Sequence, residues 1–209
     1  MSEDIAEEFE VGSCNVKIIR DDDAQSPADR DGDTDLFIVA KHSQFYVPAP
    51  GEKSVPEHAE ELVKRYKKTH WMFQMEAYIH SGVVLAFSQQ GDFPDRRWDV
   101  SQVGFVFAAK KQWRVAAKAK LAAQSKIDEW NRYNAGDAWG YVVELPEEVE
   151  VITYSGGPGG PHKHTHKTKE MSCWGFDDID YCRQQARETA EHYDEKYKAT
   201  KGKTEEVAA

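Results

Sequence analysis

Residues 98–111, W-D-V-S-Q-V-G-F-V-F-A-A-K-K, constrain this chain more than any other stretch. In an extended strand Val103, Phe105 and Phe107 share one side, and Val106 is apolar on the other. A strand apolar on both sides needs cover on both, which predicts a central place in a sheet. It runs directly into the longest helical pattern, residues 110–133, rich in Ala, Lys and Gln. The candidate stripe there is Trp113, Ala117, Lys120, Leu121, Ile127, Trp130 and Tyr133, and Gly136 stands just beyond as a stop.

Around this centre the other elements read in order. Residues 1–12 hold few apolar side chains and predict a frayed leader. Residues 15–20 (N-V-K-I-I-R) and 36–40 are short strands, separated by a polar loop over 21–35. Residues 42–54, with Pro48, Pro50 and Gly51, read as a loop. Residues 57–69 form a helix with acidic residues early and basic residues late, as the helix dipole favours. Residues 71–79 and 83–87 flank His80-Ser81-Gly82 as a hairpin, and 89–97 is a polar loop. Residues 138–145 and 149–154 are strands around Pro146, and 155–161 (S-G-G-P-G-G-P) is an exposed hairpin tip. Residues 171–174 continue as a strand, followed by a helix from about 177 to 198 that Asp177 or Asp178 can cap.

Irregular alternation with short hairpins predicts an α+β fold, an antiparallel or mixed β-sheet with about three helices packed on it. The domain reading is an acidic flexible leader over 1–13, a single domain over 14–199, and a frayed tail over 200–209. An exposed Gly/Pro/His hairpin insertion occupies about 146–169 of that domain.

The net charge of −10 is not spread evenly. Residues 1–35 hold 12 Asp/Glu against 3 Lys/Arg, so the other 174 residues, with 25 against 24, are nearly neutral. Asp21, Asp22 and Asp23 are the densest part of that acidic segment and the candidate contact for a basic partner. No stretch is apolar enough for a membrane span, and the first ten residues lack a signal peptide's basic-then-apolar order. Three cysteines, Cys14, Cys173 and Cys182, make an odd count without a CxxC pair, which fits a reducing, cytoplasmic setting.

Three constellations invite a chemical reading. The D-R-D-G-D-T-D run from Asp29 fails the calcium-loop pattern, because the sixth and twelfth positions are Thr34 and Ala40. His162, His164 and His166 share one face if extended, a donor set suited to zinc or nickel, but they follow a Gly/Pro tip with little to support a site. Cys173, in an apolar strand beside Trp174, reads as a small buried hydrophobe. No nucleophile elbow, phosphate-binding glycine loop or HExxH helix is present, and no motif requires a cofactor.

Four blocks occur in order: I-I-R-D-D-D-A-Q-S-P-A-D-R-D, W-D-V-S-Q-V-G-F-V-F, Y-N-A-G-D-A-W-G-Y-V-V-E and S-C-W-G-F-D-D-I-D-Y-C. As a set they resemble a family of small hypothetical proteins encoded by tailed bacteriophages and prophages. The resemblance spans roughly residues 16–190 and implies a phage context, with the host-cell cytoplasm as its compartment, but no catalytic residues. Where these blocks converge, Trp98, Asp99, Gln102, Asp137, Trp139, Trp174 and Asp178 would form a polar-aromatic surface able to hold a ligand.

The leading expectation is a non-enzymatic phage accessory protein that binds a host or phage protein, antidefence action being one case. One rival is a small-ligand or metal-dependent enzyme that uses the polar-aromatic surface. The other is a nucleic-acid-binding protein that uses Lys64, Arg65, Lys67, Lys68 and the basic residues near 110–120. It has less support, because the body is electrically balanced.

Overall fold

The computed structural model describes residues 4–31, 34–94, 96–155 and 162–207. The fold is α+β, and every described strand pairing is antiparallel. Where the sequence predicted one domain, the chain divides into two compact units. One is Gln25–Gly136; the other combines Met1–Ala24 with Asp137–Ala209. The first is thus inserted into the chain of the second.

The discontinuous unit is a four-stranded sheet in the order β1-β2-β8-β9. Its strands are β1 (Ile5–Val11), β2 (Cys14–Arg20), β8 (Trp139–Ser155) and β9 (His162–Phe176). The helix α5 (Ile179–Val207) lies on one face of it, where Cys182, Ala186 and Ala190 pack on Val16, Ile18, Tyr141 and Val143. Alanines at four-residue spacing let this helix approach the sheet closely.

Three expectations fail in this unit. The predicted leader is an edge strand: Phe9 and Val11 pack on the core, and Arg183 of α5 binds Glu7. The intervening glutamates hid that alternation, and the partner that answers Glu7 is 176 residues away in sequence. The two strands around Pro146 are one strand with a register irregularity between Glu144 and Val149, so Pro146 sits where the ladder is already interrupted. The tail from Thr200 continues α5 to Val207.

The inserted unit is a five-stranded sheet in the order β4-β3-β7-β5-β6. Its strands are β3 (Leu36–His42), β4 (Phe45–Val47), β5 (His70–Ile79), β6 (Val83–Phe87) and β7 (Val100–Ala109). The organising stretch therefore supplies the central strand, as its two-sided apolar pattern required. Helix α4 (Ala116–Asn134) covers one face, through Ala123, Ile127 and Trp130. Helix α2 (Ala59–Tyr66) covers the other, where Leu62 meets Phe37, Val39 and Phe107. Two short helices, α1 (Pro27–Asp31) and α3 (Arg96–Asp99), sit in segments read as loops.

Val103 corrects the face assignment. Met75 faces Gly104 and Glu76 faces Gln102, so Val103 is an extra residue in β7, a β-bulge. The bulge resets the alternation: Val103 joins Val106 on the α4 face, while Phe105 and Phe107 stay on the α2 face. Gly104 beside it has no alternative, because a Cβ there would overlap the carbonyl oxygen of Val39. The α4 stripe is also shifted. Ala119, Ala123, Lys126, Ile127 and Trp130 are buried, while Leu121 is 72% exposed. Trp113 precedes the helix and accepts, at its carbonyl, the Trp71 indole N–H at 2.8 Å.

At the far edge, Asn131 of α4 accepts from the Leu85 N–H at 2.7 Å and donates to its carbonyl at 2.9 Å. A side-chain amide thus closes the β6 edge as a further strand would. No described helix is long and apolar enough to cross a membrane.

Candidate functional site

The opposite edge of the inserted sheet is built differently. β4 pairs with only the last part of β3, Ala40 with Val47 and His42 with Phe45. Beyond Val47 the chain reads Pro48-Ala49-Pro50-Gly51. The two prolines fix φ near the polyproline value, and Gly51 turns the chain at φ 77°, with the Glu52 N–H bonded to the Ala49 carbonyl at 2.9 Å. The described pairing of β4 with β3 ends at Val47.

Register shows what this exposes. The Ala109 N–H donates to the Asp35 carbonyl at 2.7 Å, so Phe37 and Val39 are the next residues bonded to β7. In an antiparallel ladder the intervening residues turn their peptide groups the other way. Those are Leu36 and Ile38, which point toward the side that β4 has left.

A cavity of about 530 Å³ lies there. Its walls are the β3 edge, Phe45 and Val47 of β4, residues 48–52, the start of α1, and the C-terminal half of α4. Trp130, 5% exposed, anchors the apolar side and meets Phe45 edge-on at 5.5 Å and Tyr133 at 5.9 Å. Lys126 reaches the cavity from a buried position, with its ammonium 2.9 Å from the Glu129 carboxylate. Asn134, the last residue of α4, also lines it. Its amide nitrogen is buried and has no hydrogen-bond partner among the described residues. A buried donor left unpaired costs about 1–3 kcal/mol.

A second cavity of about 520 Å³ lies at the end of α2. It shares Phe37 and Pro50 with the first and is lined by Tyr66, His70, Lys68, Lys110 and Lys111.

The residues singled out in the sequence lie elsewhere. The seven of the polar-aromatic surface divide between the units. In the inserted unit, Trp98 is 78% exposed on α3, with the Arg97 guanidinium 5.3 Å from its ring. Asp99 sits 3.4 Å from the His80 ring, and Gln102 donates to the Ser88 hydroxyl at 2.6 Å. In the discontinuous unit, Trp139 is buried in the core under Arg20, and Trp174 lies across Gly140. Asp137 is half-buried before β8. Asp178 accepts from the Tyr181 N–H at 2.9 Å and is the cap of α5.

Asp21 belongs to the sheet end, where its N–H donates to the Ala138 carbonyl at 2.8 Å, while Asp22 and Asp23 are exposed in the turn that follows. His164 is exposed on β9, and the side chains of His162 and His166 lie outside the described residues. Among the described residues no group of three or more His, Cys, Asp or Glu is placed to hold a metal.

Cys173 is exposed rather than buried. Cys14 and Cys182 are the buried ones, and burial pushes the Cys182 thiol up to about 12, far from a reactive thiolate.

No family model matches the chain, and no curated protein or solved structure matches it.

Proposed function

We propose that the protein is a binding protein whose inserted unit takes a short extended peptide segment of a partner protein into the cavity beside β3. The observation that carries this reading is the part of β3 beyond the end of β4, where no described strand pairs with Leu36 or Ile38. Leu36 and Ile38 present peptide groups in the register of a missing strand, and an extended segment is the ligand that matches them group for group. Side chains at alternate positions of such a segment would turn toward Trp130 and Phe45. Asn134 would take a carbonyl.

The discontinuous unit carries 23 Asp/Glu against 11 Lys/Arg, so a basic protein would be steered toward the molecule at low ionic strength. A phage accessory role toward a host or phage protein is supported by the four sequence blocks alone.

The test is peptide selection from a random display library on the whole chain. Selected peptides should share apolar residues at alternate positions. N-methylation of alternate amides should weaken binding about fivefold per lost hydrogen bond, while methylation of the intervening amides should not. Peptides indifferent to the methylation pattern, or bound equally well by Asn134→Leu, would overturn the reading.

A further inference from the structure

The second cavity differs from the first in charge. Its floor is aromatic: Phe37, Tyr66 and His70 meet pairwise edge-on at 5.2–5.6 Å. Phe37 is buried, so the floor is fixed by the core beneath it, and Tyr66 also packs on Phe107 at 4.8 Å. His70 is held at both ring nitrogens. Its Nδ1 lies 2.9 Å from the Thr69 hydroxyl and its Nε2 3.4 Å from the Thr34 carbonyl. A carbonyl only accepts, so Nε2 carries the proton of that contact.

The rim is cationic. Lys68, Lys110 and Lys111 line it against one carboxylate among the described residues, Asp35, which lies 2.7 Å from Lys111. Lys110 donates to the Lys67 carbonyl at 2.7 Å and lies 5.1 Å from the Trp71 ring, contacts that place its ammonium without neutralising it. Lys68 is exposed, and neither it nor Lys110 has a carboxylate partner among the described residues. Two ammonium groups without a carboxylate partner among the described residues therefore stand beside an aromatic floor.

We infer that this cavity binds a planar organic phosphate of the nucleoside monophosphate class. The phosphate sits between Lys68 and Lys110, and the base lies against Tyr66 and His70. An ammonium is a point charge suited to phosphate, and aromatic side chains receive any base without reading its edge. The volume lies within the range of small-ligand sites. Phe37 and Pro50 apart, its lining differs from that of the first cavity, and it stands whether or not a peptide binds there.

Calorimetric titration of the whole chain with AMP, adenosine and ribose 5-phosphate, at low and high salt, tests it. AMP should bind more tightly than either half, and its affinity should fall as salt rises. Lys68→Ala should weaken AMP about fivefold and Lys68→Ala/Lys110→Ala more than tenfold, while Asn134→Leu leaves it unchanged. Lys68 is exposed, so its single variant reads the site even if the double variant is unstable. Failure of AMP, GMP, CMP and UMP to bind at millimolar concentration would overturn the inference. So would AMP binding that survives Lys68→Ala/Lys110→Ala. Binding of short oligonucleotides without any mononucleotide would overturn it in favour of a strand interface.

Discussion

Glu76 is 1% exposed, and its carboxylate is met by donors from the loop that follows β6 and from the start of α3. The Gln89 N–H reaches it at 2.9 Å, the Gly91 N–H at 3.3 Å and the Arg96 guanidinium at 2.8 and 2.9 Å. Burial, the largest single influence, pushes this carboxyl up, but the N–H groups and the guanidinium together hold it below its ordinary value. The same bonds hold Gln89 in a left-handed backbone at φ 61°. Glu76→Gln keeps the shape and removes the charge, so it should cost about 2 kcal/mol in urea unfolding. Faster amide exchange confined to residues 88–91 should accompany that loss, and unchanged exchange there would refute the clamp. Asp194 offers a pH readout. Hydrogen bonds from Lys198, then from the Ser13 hydroxyl and N–H, hold its carboxyl down at about 2. Its folded pKa lies below the ordinary carboxylate value, so the contribution is full above about pH 4 and disappears as pH falls through 2. The stability gap between the native chain and Asp194→Asn should be flat above pH 4 and shrink toward pH 2.

At the level of elements, the β4 ending is what makes a cavity out of a sheet edge. Gly51→Val, which disfavours the turn at φ 77°, should let β4 run further along β3, since Ala49 would face Ile38 in continued register. The expected result is amide exchange at Ile38 slowed about tenfold, with selected peptides no longer bound. If exchange slows and peptides still bind, the edge is not their site. How far the sequence foretold such features depended on how local their causes are. The β5–β6 hairpin and the central place of β7 were legible because alternation and turn residues sit within a few positions of each other. The side to which Val103 turns was not, because the bulge is defined only against β5. Leu121 misled for a related reason: a leucine at helical spacing looks buried, while the contact is made by the small Ala119 and Ala123. Trp130 and Tyr133 were visible as an apolar stripe. Asn134 was not, since lacking a partner is a property of tertiary packing and leaves no mark in the sequence.

At the scale of the whole molecule, charge and chain order divide along the same boundary. The inserted unit has 16 Lys/Arg against 14 Asp/Glu, a formal +2, so the discontinuous unit carries −12 of the total −10. The chain leaves and re-enters the discontinuous unit at adjacent points, since Arg20 pairs with Trp139 and the Asp21 N–H bonds the Ala138 carbonyl. All four described strands of that sheet come from the discontinuous unit itself. A chain in which Met1–Ala24 is joined to Asp137–Ala209 through about four Gly/Ser residues should therefore form β1, β2, β8, β9 and α5 as a cooperative unit. Its self-repulsion should make it markedly salt-dependent, with the melting temperature rising between low and physiological ionic strength as the Debye length shortens. Circular dichroism melts across that range check both statements. A sigmoidal transition that moves upward with salt is expected. A broad, salt-insensitive melt would mean that the −12 unit depends on the insertion for its stability, and that the two-unit division describes packing without independence.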